Sequence, residues 1–149
     1  MFKVFIFAIL GLIFLANCNS STSDEEMKLN DTFWHSGEDD PLRFDLYFTD
    51  KFILSSNGQV AWRNQYLWQG DSICIEYIPQ RKRNEFFKTV NFNPDSIGLR
   101  SPIDTNFISY YYRSNEQAFF NSLQGLEKDE LERFFKDTKY ADRIDKIKK

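Results

Sequence analysis

Residues 42–77 run as short stretches of alternating apolar and polar side chains separated by turn residues. This pattern restricts the possible folds more than anything else in the chain. Leu42, Phe44, Leu46 and Phe48 fall on one face, and Arg43, Asp45, Tyr47 and Thr49 on the other. A period of two is the signature of a strand with one face buried. Asp50-Lys51 turns the chain, and Phe52-Ile53-Leu54 starts the next strand. Asn57-Gly58 is the strongest hairpin signal present, because both residues tolerate positive φ. Val60, Trp62, Asn64, Tyr66 and Trp68 then share one face, Gln69-Gly70-Asp71 turns, and Ile73, Ile75 and Tyr77 return as far as Pro79. The segment reads as a four-stranded antiparallel meander.

Both flanks extend it. Asp31-Thr32-Phe33-Trp34-His35 reads as a short first strand or lead-in. Beyond the basic turn Arg81-Lys82-Arg83, the residues Phe86, Val90 and Phe92 mark a further strand. Asn93-Pro94 and Ser101-Pro102 are turns around a short segment, 97–100. Ile108 and Tyr110-Tyr111-Tyr112 belong to the last strand. The period then changes. Ser114 and Gln117 have capping-box spacing. Phe119, Phe120 and Leu123 follow at helical intervals, Gly125 breaks the helix, and Leu126, Leu131, Phe134 and Phe135 mark a second one. Residues 139–149, rich in lysine, read as a fraying tail. Strands followed by helices give an α+β class. The expected fold is an antiparallel meander of about six strands, an open or partial barrel, followed by one or two C-terminal helices. At least one of Trp62 and Trp68 is expected to pack beneath those helices, whose phenylalanines need an apolar surface to cover.

The first eighteen residues speak of location. Lys3 precedes an unbroken apolar run, 4–16, and Cys18 follows. At about 1.5 Å per residue this run reaches only about 20 Å, short of the roughly 30 Å hydrocarbon core, so it fits a signal peptide and not a permanent span. Leu15-Ala16-Asn17-Cys18 resembles the lipobox of bacterial lipoproteins, with Asn17 where that family usually has Gly, Ala or Ser. The resemblance implies cleavage before Cys18, acylation of its thiol, and attachment to a membrane through two or three chains. Residues 19–26 are small, polar and acidic, a flexible tether whose acids also resemble an export signal to the outer surface. The expected organisation is a signal peptide over 1–17, lipidated Cys18 and tether over 18–31, and one domain over 32–149. The expected address is the bacterial cell envelope, at the outer membrane.

Without Lys3 the chain carries 18 basic against 22 acidic residues, a balance that argues against a nucleic-acid partner. Of 26 aromatic residues, 22 lie beyond the signal, which demands an aromatic core or an aromatic-lined groove. With Cys18 lipidated, Cys74 has no partner, so it reads as a buried structural thiol and not part of a disulfide framework. The single histidine, His35, excludes a His/Cys metal cluster. Neither a nucleophile elbow nor a phosphate-binding glycine loop is present. No cofactor, metal or catalytic set is expected.

The run from Trp34 through the 42–49 strand, Asn57-Gly58, Trp62 and 73–77 is similar to bacterial lipocalin-like domains. These begin with a Trp and continue as an up-and-down meander with a Trp after a Gly turn. Three functional readings follow. The first is a non-enzymatic, lipid-anchored envelope protein that holds a small apolar ligand against Trp62, Tyr66 and Trp68. The second is a protein-interaction module, such as an envelope inhibitor or an immunity protein. The third is a hydrolase with an unrecognised site, which a cleft joining His35 to a carboxylate and a hydroxyl would favour.

Overall fold

The computed structural model describes residues 28–38, 40, 43–78 and 83–148, and the side chains of Tyr77 and Ile78 are left aside. Cys18 and the signal lie outside the described residues. The strands are β1 (Thr32–Ser36), β2 (Asp45–Phe48), β3 (Phe52–Ser56), β4 (Ala61–Trp68), β5 (Ser72–Ile78), β6 (Arg83–Val90), β7 (Ser96–Arg100) and β8 (Ile108–Arg113). Each pairs antiparallel with the next, and β8 pairs with β1, so the sheet closes. The expectation of about six strands in an open or partial barrel is thereby corrected to eight in a closed one. The lead-in at Trp34 is the strand that closes the barrel. The segment between the two proline turns is a full strand, β7, with Ile97 and Leu99 buried. Gly98 makes that strand possible, because a Cβ there would lie 2.6 Å from Val90 Cγ2 and 2.9 Å from its carbonyl oxygen.

Two apolar cores share the wall. Inside the barrel lie Trp34, Leu46, Phe48, Ile53, Tyr66, Ile73, Ile97, Leu99 and Tyr111, with Leu29 closing one end. Leu29 belongs to this core although it precedes the expected domain start at Thr32. Outside the barrel, Phe33, Tyr47 and Leu54 meet the helical segment. Phe33 and Tyr47 are register partners with rings stacked 4.5 Å apart. Tyr47, on what reads as the polar face of its strand, is therefore buried from the outside.

The helical segment comprises α1 (Glu116–Ser122), α2 (Lys128–Phe135), a 3-10 turn (Ala141–Arg143) and the short α3 (Ile144–Ile147). Asn115, not Ser114, caps α1, its side chain accepting from Ala118 N–H at 2.9 Å. Ser114 is still tied to the sheet, donating its N–H to the carbonyl of Phe33 at 2.8 Å. Glu127 and Glu130 form a capping box at α2. The expected fraying tail is docked: Tyr140, Ile144 and Ile147 are buried in the outer core. Tyr140 donates to Glu116 Oε2 at 2.8 Å, Arg143 donates to Glu116 Oε1 at 2.7 Å, and Lys139 reaches Asp31 at 2.6 Å.

Candidate functional site: the barrel interior

A closed eight-stranded barrel has an interior just wide enough to be filled by side chains or to hold one small ligand. This one is filled by side chains at one end and leaves a cavity towards the other. At the end where β1 begins, the interior is filled. Trp34 donates its indole N–H to Thr32 Oγ1 at 2.7 Å, and the guanidinium of Arg113 lies 5.0 Å from its ring centre. Tyr66 meets Phe48 edge-on at 5.3 Å and donates its hydroxyl to the carbonyl of Thr49 at 2.8 Å. Burial, with Asp50 nearby, pushes the Tyr66 phenol up to about 12. Trp68 packs on Phe92 at 5.2 Å.

Towards the other end, where β1, β3, β5 and β7 finish, the packing opens into a cavity of about 570 Å³. Leu46, Ile53, Ile73, Ile75, Phe87 and Leu99 form its apolar wall. Ser55, Asn64, Glu85 and the Tyr111 phenol add polar groups. Trp62 and Phe44, edge-to-face at 5.3 Å, stand at its rim. A second lobe of about 330 Å³ shares Phe44, Phe87, Leu99 and Tyr111 and adds Asp40, Ser101, Phe107 and Ser109. Burial and then the negative charge of Asp40 push the Tyr111 phenol up to about 12.

The sequence places Trp62, Tyr66 and Trp68 on one face, and the structure agrees that all three point inward. Only Trp62 lines the cavity, and it is 37% exposed. Tyr66 and Trp68 sit two and three inward positions deeper, in the filled end. The expectation that the helices cover this face is corrected. They cover the opposite face of β4, where Ala61 packs on the outer core. There Arg63 lies 3.7 Å over the Phe52 ring and donates to the carbonyl of Lys136.

Glu85 is the wall residue that sequence reasoning misses. Phe86, Val90 and Phe92 suggest an inward apolar face for β6, yet the register pairs Glu85 with Ile75 and Phe87 with Ile73, both inward residues. Glu85 therefore points inward and Phe86 outward, where it is 53% exposed. His35 lies on the outer wall, between its register partners Asp45 and Tyr112. Its Nδ1 is 3.0 Å from the carbonyl oxygen of Ser36, and it takes no part in the cavity. Among the described residues no helix is long and apolar enough to cross a membrane.

No protein-family model matches the chain, and no curated protein or solved structure matches it significantly.

Proposed function

We propose that this protein is a non-enzymatic carrier or sensor that holds a small, largely apolar ligand inside its barrel and is tethered to the bacterial envelope through lipidated Cys18. The observation that carries the reading is the cavity of about 570 Å³ with an apolar wall and a few inward polar groups. Pockets for small ligands have this size and composition. The lipobox-like Leu15-Ala16-Asn17-Cys18 supports the tether. Lipocalin-like barrels hold ligands in the same way, and the up-and-down topology here is compatible with that mode.

The cavity is tested by titrating the purified protein with the neutral fluorophore N-phenyl-1-naphthylamine. Saturable binding at one site is expected, weakened about tenfold or more by Trp62→Ala, the change in affinity that about 1.4 kcal/mol of lost contact produces. A linear, unsaturable signal overturns the reading. The tether is tested separately by mass spectrometry of the amino-terminal peptide. An unacylated Cys18, or a Cys18→Ser protein that still fractionates with membranes, defeats it.

A further inference from the structure

We propose that the cavity recognises a ligand with a carboxamide head, seating that group between the side chains of Asn64 and Ser55 and the apolar body against Ile73, Phe87 and Leu99. The inference rests on the ligand-binding reading above and deepens it by naming the head group.

The partners of the polar side chains around the main lobe single out this pair. Arg63 is engaged on the outer face, over Phe52 and 3.5 Å from Asp137 Oδ2. Glu85 Oε1 stands 3.9 Å from Arg83 Nε, and the Tyr111 phenol interacts with Ser109. Ser55 and Asn64 are half-buried in the wall, and their side chains have no hydrogen-bond partner among the described residues. Both point inward from neighbouring strands. Ser55 pairs with Trp62, and Asn64 with Ile53. They are therefore diagonal neighbours across the β3–β4 pair, about 7–8 Å apart at the backbone, a gap that one head group can span.

An apolar body that fills the lobe displaces water from its wall. Ser55 and Asn64 would then be left unpaired, and a buried polar group without a partner bears its full desolvation penalty. A ligand that supplies the partners removes that cost. The chemistry of the pair decides which head does so. Asn64 offers a carbonyl oxygen and an NH2 group side by side, and Ser55 a hydroxyl that both donates and accepts. A carboxamide carries the same donor and acceptor, so it can pair edge to edge with Asn64 and still meet the Ser55 hydroxyl. An ester only accepts and leaves the Asn64 carbonyl oxygen unmatched. An ammonium only donates and leaves the Asn64 NH2 group unmatched. A hydroxyl donates and accepts through one atom, too small to meet both side chains across the diagonal.

The test uses two probes with the same eight-carbon acyl chain, octanamide and methyl octanoate. Each is titrated calorimetrically into the purified full chain at pH 7. Octanamide should bind more tightly than methyl octanoate. A hydrocarbon wall alone would give the reverse order, because an amide that enters without partners loses its hydrogen bonds to water. Asn64→Leu should weaken octanamide about tenfold or more and reverse the order of the two probes. Ser55→Ala should weaken octanamide and leave methyl octanoate unchanged. Methyl octanoate binding more tightly than octanamide to the unaltered protein overturns the proposal. So does an octanamide affinity that both substitutions leave unchanged. If N-phenyl-1-naphthylamine binds and octanamide does not, the head-group assignment alone falls. If neither the fluorophore nor the two probes bind, the ligand-binding reading falls with it. Should Asn64→Leu not fold, which circular dichroism reports, the order in the unaltered protein and the Ser55→Ala titration decide the matter.

Discussion

A Cβ added to Gly125 would lie 2.4 Å from the carbonyl oxygen of Gly58. The turn after α1 and the turn between β3 and β4 thus meet backbone to backbone, pinning the helical segment to the barrel. Gly58 is held from its own side as well. Its φ is +85°, and a Cβ there would come 3.3 Å from the carbonyl oxygen of Ser122. Gly125→Ala should therefore destabilise the fold by pushing the two turns apart, and Gly58→Ala should add backbone strain to crowding. Gly70 is the control, with φ +68° and open space for at least 4 Å around the point a Cβ would occupy. Gly70→Ala should cost about 1–2 kcal/mol from φ alone, and Gly58→Ala more. Denaturant melts of the three variants check the order, and equal losses at positions 58 and 70 would show that the turns do not press on each other.

Depth along β4 separates the two inward tryptophans. Trp68 is half-buried against Phe92 in the filled end, so Trp68→Ala should cost about 3 kcal/mol. Trp62 stands at the rim beside empty volume, and Trp62→Ala should cost less than about 1 kcal/mol while weakening fluorophore binding. Tyr66→Phe removes the hydroxyl donated to Thr49 and should cost about 1 kcal/mol. A reversed order for the two tryptophans, read by chemical melts, would mean that the filled and open ends are exchanged.

Asp45 gives a pH dependence of definite sign. Burial raises its carboxyl above the usual 3.8, and the neighbouring Ser122 and His35 offset part of that rise. The folded state therefore holds the Asp45 proton to higher pH than the unfolded chain. Its contribution is fully present below about 3.8 and is lost as pH rises through the raised folded value. Asp45→Asn cannot lose that contribution. Melting temperatures of the two proteins from pH 3 to 7 should diverge in favour of the variant as pH rises, and a parallel pair of curves would refute the assignment.

Cys74 should be a silent thiol. It lies on the outer wall between its register partners Leu67 and Phe86, and both cover it while remaining about half exposed themselves. Burial, and then the charge of Glu76, raise its thiol above the ordinary range, leaving little thiolate at neutral pH. Ellman's reagent should react with the Cys74 thiol far more slowly in the native protein than in denaturant. Phe86→Ala should restore a faster native reaction. Rapid labelling of the intact protein would place the thiol elsewhere.

The parts of the fold legible in the sequence were those where apolar and polar side chains alternate between clear turn residues. Residues 44–48 and 62–68 were read with the correct faces, and the turns at Asn57-Gly58 and Gly70 fall between strands as expected. Two features hid the rest. β1 is buried on both sides, with Phe33 under the helices and Trp34 in the barrel, so it shows no alternation. β6 inverts the usual code, with Phe86 outward and Glu85 inward. A local pattern cannot reveal such an inversion, because only the register with β5 fixes which side is which. Trp62, Tyr66 and Trp68 share a face by period, but their different surroundings depend on where the barrel is plugged, which Leu29, Trp34 and Phe92 determine from distant parts of the chain.

The ion pair of Lys139 with Asp31 joins the start of the barrel to its C-terminal segment, and Leu29 seals the adjacent floor. The chain thus enters the domain beneath the plugged end, opposite the loops that surround Trp62. A protein held through Cys18 is suspended by its base, like a cup on a string fastened under the foot. On the proposed attachment through Cys18, the opening would lie at the end of the barrel away from the chain's entry at Leu29, so a proposed ligand would reach it from the far side, and lengthening the tether would change the distance patrolled without altering that path.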